Sequence, residues 1–165
     1  MSDKYTVIID GARTPIGMKN GKLIGMRSDD LSASLIKQLL ERNDSISHKN
    51  IEDIVMGCAF PEGPQGMLMA KGVAILSGLP ETTSGKVVNR FCGSSMDALH
   101  QLSQAIDSGD TDCGIACGVE DMFGFKRPVP RATNTKPRIK VCSRGIAKVK
   151  WPKVIIKAPI NTDLW

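Results

Sequence analysis

Apolar runs of strand length alternate with stretches whose apolar positions recur at helical spacing through the first three quarters of the chain. Tyr5–Asp10 (YTVIID) is β-branched and apolar, is closed by Gly11, and reads as a buried strand. Ser28 or Asp29 is placed to cap a helix that runs through Arg42, with Leu31, Leu35, Ile36, Leu39 and Leu40 on one face. Ile51–Phe60 (IEDIVMGCAF) is the next strand, stopped by Pro61. Gln65–Ser77 predicts a second helix that ends at Gly78, with Pro80 just beyond. Lys86–Phe91 (KVVNRF) predicts a third strand. A third helix over Ser95–Ser108 follows, with Met96, Leu99, Leu102 and Ile106 inward and Gly109 at its end. Asp112–Val119 (DCGIACGV) is a fourth strand of small and apolar residues. This alternation predicts an α/β fold with right-handed crossovers, a mainly parallel sheet and helices on both faces. Chemistry in such sheets collects at the carboxyl ends of the strands.

Charge divides the chain. The net charge of +5 hides two opposite halves. Residues 1–125 hold 11 Lys and Arg against 16 Asp and Glu, whereas residues 126–165 hold 11 Lys and Arg against Asp163 alone. Five of the nine prolines, Pro128, Pro130, Pro137, Pro152 and Pro159, fall in the second stretch. The pattern predicts a sheet domain over residues 1–124 and a basic, divergent tail over 125–165, less ordered than the sheet. Within that tail Val154-Ile155-Ile156 is apolar enough for an edge strand, kept short by Pro152 and Pro159.

Several function classes fall away. No apolar run approaches the roughly 18 residues of a membrane span. A strand begins almost at the N-terminus, which predicts no leader and a cytoplasmic chain, an organelle matrix being the alternative. Five cysteines in that setting do not suggest a disulfide framework. Cys113 and Cys117 lie on one strand, four residues or about 13 Å apart, and read as buried small hydrophobes with no metal site. No G-x-x-x-x-G-K-[ST] or G-x-G-x-x-G loop occurs. The basic tail has only Trp151 and Trp165 as Trp or Tyr residues and no nucleic-acid motif, so its charge reads as solvated and nucleic acid is not an expected partner.

Cys92 sits where a strand gives way to a helix. Free backbone N–H groups and the positive end of the helix dipole face a sulfur at that position, an environment used by nucleophilic cysteines. Gly93 permits a sharp turn, and Ser94 and Ser95 suit a first helical turn. Position alone leaves two readings open, a reactive thiol or a cysteine that packs at a turn.

The surrounding residues favour the first. Val88-Asn89-Arg90-Phe91-Cys92-Gly93-Ser94-Ser95-Met96-Asp97-Ala98-Leu99 resembles the nucleophile segment of the thiolase family, most closely the branch that cleaves 3-ketoacyl-CoA in fatty-acid β-oxidation. Asp10-Gly11-Ala12-Arg13-Thr14-Pro15-Ile16-Gly17 resembles the family's N-terminal signature, and Gly118-Val119-Glu120-Asp121-Met122 the segment after its fourth strand. Asp29–Leu40 resembles its first helix. The resemblance covers roughly residues 5–123, and three motifs in order make it specific. It implies one half of a five-layered αβαβα architecture assembled as dimers or tetramers. It also implies an acyltransferase with coenzyme A thioesters as substrates and no further cofactor. Cys92 matches the nucleophile that takes the acyl group.

The family's remaining machinery lies in its second half, as Asn-Glu-Ala-Phe, Gly-His-Pro and Cys-Gly-Gly segments, and none occurs in this chain. His100 is eight residues along the third helix from Cys92, about 12 Å at helical rise, out of reach for a direct base. His48 follows the first helix, and both histidines read as surface or packing residues. Cys142 lacks a Cys-Gly-Gly context, and no residue is assigned to coenzyme A binding. From about Phe125 the resemblance stops, as a shifted reading frame, a fusion or an exon change would produce. The expectation is therefore a truncated thiolase-type acyltransferase with incomplete machinery, self-associating or paired with an intact thiolase. The alternatives are an inactive interaction protein that pairs through its sheet and, behind it, a nucleic-acid binder acting through the basic tail.

Overall fold

The computed structural model describes residues 5–122 and the backbone of a strand at residues 153–157. Five strands form one sheet in the order β1-β5-β4-β2-β3. They are β1 (Val7–Ala12), β2 (Asp53–Gly57), β3 (Ser84–Val88), β4 (Cys113–Gly118) and β5 (Lys153–Lys157). Strands β3, β2 and β4 pair in parallel, and β5 lies antiparallel to both β4 and β1. The sheet is thus mainly parallel, as the alternation predicts.

Helices α1 (Ser28–Glu41) and α2 (Met69–Leu76) cover one face, and α3 (Ser94–Ser108) covers the other. The first layer packs Ile36, Leu39, Leu40, Val73 and Ala74 against Ile54, Met56, Ile115 and Cys117. The second packs Ala98, Leu102 and Ile106 against Val55 and Ala116. The alternating directions of Ile54, Val55 and Met56 on β2 follow from the two-residue period of a strand. All three are fully buried because both faces are covered.

Several expectations need correction. β1 is not a buried strand: it lies at the end of the strand order, and its Ile8 and Ile9 are 61% and 41% exposed. The Val154-Ile155-Ile156 strand is not at an edge. Its register pairs Ile155 with Asp10 on one side and Ile115 on the other, so β5 lies between β1 and β4 in the sheet. Neither Ser28 nor Asp29 is the N-cap of α1. Arg27 holds that place with extended backbone, and its guanidinium binds the Asp29 carboxylate inside the first turn. Helix α2 starts four residues later than its pattern suggests, since Gln65 lies in a short 3-10 turn, its side chain bonded elsewhere. Met96 points outward on α3, 42% exposed, while Ala98 takes the inward place. Gly78 and Gly109 both end their helices in left-handed backbone, as expected.

The expected disorder of the tail, Cys142, Trp151 and Trp165 lie outside the described residues. No helix among the described residues is long and apolar enough to cross a membrane.

Candidate active site

The carboxyl ends of β2, β3 and β4 meet the N-terminus of α3, and glycine makes the meeting possible. Gly57 and Gly118 are register partners at the ends of β2 and β4. A Cβ on Gly57 would fall 2.4 Å from the Ser94 and Ser95 backbone. One on Gly118 would collide with the Ser95 hydroxyl at 1.7 Å. The first turn of α3 therefore rests directly on the sheet, and that seat fixes what precedes it.

Cys92 immediately precedes the Gly93 cap of α3 and is exposed. Helix α3 runs 15 residues, so its N-terminal N–H groups and dipole end at this turn. By contrast Cys58, Cys113 and Cys117 are 1%, 1% and 4% exposed. The turn itself is tightly wound. Phe91 holds a φ of +48°, left-handed backbone that costs a non-glycine residue on the order of 1–3 kcal/mol. Surrounding bonds hold it there. The Phe91 N–H donates to Asn89 Oδ1 at 3.0 Å, and the Phe91 carbonyl accepts from the Ser94 N–H and hydroxyl at 3.0 and 2.6 Å. The Ser94 hydroxyl oxygen also accepts from the Arg90 N–H at 2.8 Å. Arg90 pairs with Asp97 on the first turn of α3 at 3.0 Å. The Phe91 ring stands edge-on to Phe60, their centroids 6.3 Å apart.

A second network ties the strand ends together. Glu120, just past β4, accepts the Ala59 N–H at 2.8 Å and the Gln65 side-chain amide at 3.1 Å. Gln65 is buried and also bridges the Phe60 and Asp121 carbonyls, while its own oxygen accepts the Asp121 N–H. The Ala59 carbonyl in turn accepts from Asn89 Nδ2 at 3.0 Å. The exits of β2 and β4 and the Cys92 turn are thus one connected assembly. In the sequence Asn89, Gly118 and Glu120 fall within motifs that give them no role, and Gly57 and Gln65 read only as a strand residue and a helix start; the strand register and the fold of the 62–66 loop reveal their part.

His48 and His100 both lie exposed, His100 along α3 and not at its end. Cys113 and Cys117 are buried in the apolar core. Among the described residues no group of three or more His, Cys, Asp or Glu side chains could hold a metal ion. A groove of about 510 Å³ lies between the N-terminus of α1 and residues 63–72, with Arg27, Asp29, Met67 and Leu68 on its walls; Cys92 is not among its lining residues.

Comparison with known proteins bears on the same architecture. Residues 6–157 match the family model described as "Thiolase, N-terminal domain", a span that takes in β5 and so runs well past the break in composition near residue 125. The chain is 45% identical over 117 residues to "3-ketoacyl-CoA thiolase" of Marinomonas sp. (strain MWYL1), covering 70% of this chain and 30% of that protein. It is 48% identical over 120 residues to "3-ketoacyl-CoA thiolase" of Aliivibrio salmonicida (strain LFI1238), covering 72% and 31%. It is 45% identical over 131 residues to "Beta-ketoadipyl-CoA thiolase" of Escherichia coli, covering 79% and 33%. The matched stretch spans about a third of the length of these relatives. With the sheet order, the seated helix and the Cys92 turn, these matches establish that the chain belongs to the thiolase family, through its N-terminal domain.

Proposed function

We propose that the chain supplies the nucleophilic half of a thiolase-type acyl transfer, with Cys92 as the group that becomes acylated. The observation that carries this reading is the exposed Cys92 thiol at the N-terminal end of α3, in a wound turn beyond the carboxyl end of β3. Its sulfur attacks the 3-keto carbonyl of a 3-ketoacyl-CoA. The bond between the α and β carbons breaks, and its electron pair leaves on the acetyl-CoA carbon, which takes up a proton. The sulfur of a second CoA then attacks the acyl-cysteine, releasing the shortened acyl-CoA and restoring the thiol. Run backward, the same steps form the carbon–carbon bond. No cofactor beyond the coenzyme A thioesters is required.

His48 and His100 both lie exposed away from the Cys92 turn, and we place the base and proton donor on another polypeptide segment, where the resembled family carries them. General acid–base help is worth roughly 10²–10⁴-fold, and removal of an oxyanion contact costs about 10²–10³-fold. Steady-state thiolysis by the isolated chain is therefore slower than that of an assembled thiolase by factors of this order. We place its action in association with a second copy or with an intact thiolase. The exposed Tyr5, just before β1, and Ile8 and Ile9 on it support such a partner. We place the chain in the cytoplasm, the compartment that its five cysteines without a disulfide framework suggest.

Incubation of the 165-residue chain with acetyl-CoA or acetoacetyl-CoA, followed by peptide mass mapping, tests the reading. An acetyl adduct is expected on Cys92 from either thioester and is lost in Cys92→Ser. No adduct, or one spread over other residues, would leave the inactive interaction protein as the better description.

A further inference from the structure

We infer that Asn89 is the positioning residue of the Cys92 turn, an assignment that rests on the acyl-transfer reading. The turn needs Phe91 in left-handed backbone, a conformation that phenylalanine does not favour by itself. Both halves of the Asn89 side chain are spent on that problem. Its oxygen accepts the Phe91 N–H two residues ahead, closing the turn from the strand side. Its amide nitrogen donates to the Ala59 carbonyl, thirty residues away in sequence, beyond the end of β2. The Ala59 peptide is itself held, because its N–H donates to the Glu120 carboxylate past β4. The bonds of Ser94 and of Arg90 with Asp97, by contrast, stay between the turn and the first turns of α3. Asn89 therefore references the thiol to the ends of two other strands, not to its own helix alone.

Asn89 is exposed, and the core packs without it. Its removal leaves α3 seated on Gly57 and Gly118 while freeing Phe91 to relax to right-handed backbone. That relaxation swings Cys92 away from the helix end. A residue that merely supported folding would act differently, by opening the core and exposing the buried thiols.

The full chain, Asn89→Ala and Asn89→Ser are compared under limiting iodoacetamide at neutral pH, with adducts located by peptide mass. Asn89→Ala should slow labelling of Cys92 by about two- to fivefold, the size of effect expected when a charge leaves a helix N-terminus. Cys58, Cys113 and Cys117 should stay as protected as in the parent chain. Asn89→Ser should recover part of the rate, because a hydroxyl also accepts the N–H two residues on but lacks the amide that holds Ala59. An unchanged rate in Asn89→Ala overturns the assignment. So does slowing accompanied by labelling of the buried thiols, or a serine variant that recovers nothing. Failure of the underlying reading looks different: the parent chain would then take no acyl group on Cys92, whatever Asn89 does to its alkylation.

Discussion

Strands β1 and β2 are about equally apolar in sequence, yet they meet opposite fates. β2 lies between two parallel neighbours with α2 on one face and α3 on the other, and Ile54, Val55 and Met56 are all sealed from water. β1 has one described strand neighbour, β5, and keeps Ile8 and Ile9 open. An apolar run thus reports what a strand is built to meet, not what it meets within the described residues. The Gly57–Gly118 seat and the Cys92 turn belong to the sealed side. The open side carries the apolar surface left for something else.

The comparison breaks most directly at β5. A proline at Ile155 would remove a backbone donor from a strand with neighbours on both sides, where sheets do not tolerate it. Ile155→Pro should lower stability by about 3 kcal/mol or more, comparable to proline inside a helix, with β1 released together with β5. Urea unfolding followed by circular dichroism measures this. An unchanged midpoint would show that residues 153–157 do not form the ladder, and that the sheet domain ends near residue 124 as the charge distribution suggests.

A pair of truncations sharpens the contrast between the two sides. Leu102→Ala removes a fully buried side chain that packs with Val55 and Ala116. It should cost about 2–5 kcal/mol, with the upper end reached if the site cannot collapse. Ile8→Ala removes a side chain that is 61% exposed. Its cost should stay within about 0.5 kcal/mol in the isolated chain, and it should reduce self-association seen by analytical ultracentrifugation. A loss for Ile8→Ala as large as that for Leu102→Ala would mean that β1 is covered after all.

How far these features can be read from sequence follows the same division. The cores of β2, β4 and α3 are legible because their patterns are satisfied locally, by crossovers that set β3 and β4 on either side of β2. The place of β5 is not, because its partners are more than thirty residues away and a short apolar run between prolines fits an edge as well as a centre. Helix starts fail where side chains have other bonds to make: Gln65 looks like the opening of a helix but is committed to Phe60, Glu120 and Asp121. For the candidate site, Cys92 stands out because residue type and a strand-to-helix junction coincide. Gly57 and Gly118 become a pair only once the register sets them side by side beneath Ser94 and Ser95.

The smallest expected effect lies at the join between the open strand and α1. Asp10 on β1 accepts two bonds from the Arg42 guanidinium at 2.6 Å each, and one from the Asn43 side chain at 2.6 Å. Bonding to Arg42 first, and to Asn43 second, lowers its pKa from 3.8 to about 2. A carboxylate depressed in the folded chain contributes stability that is fully present above its unfolded pKa and lost as pH falls through the folded one. The Asp10 contribution should therefore be intact above about pH 4 and fade toward pH 2. Half of the Arg42 side chain is exposed, and solvent screening holds such a pair to roughly 0.2–1 kcal/mol. Arg42→Gln should accordingly lower the urea midpoint slightly at pH 7, and the difference from the parent chain should close as pH approaches 2. Added salt should shrink the neutral-pH difference as well. A difference that persists unchanged at pH 2 would assign the effect to packing of the arginine stem and remove the ion pair as the join between β1 and α1.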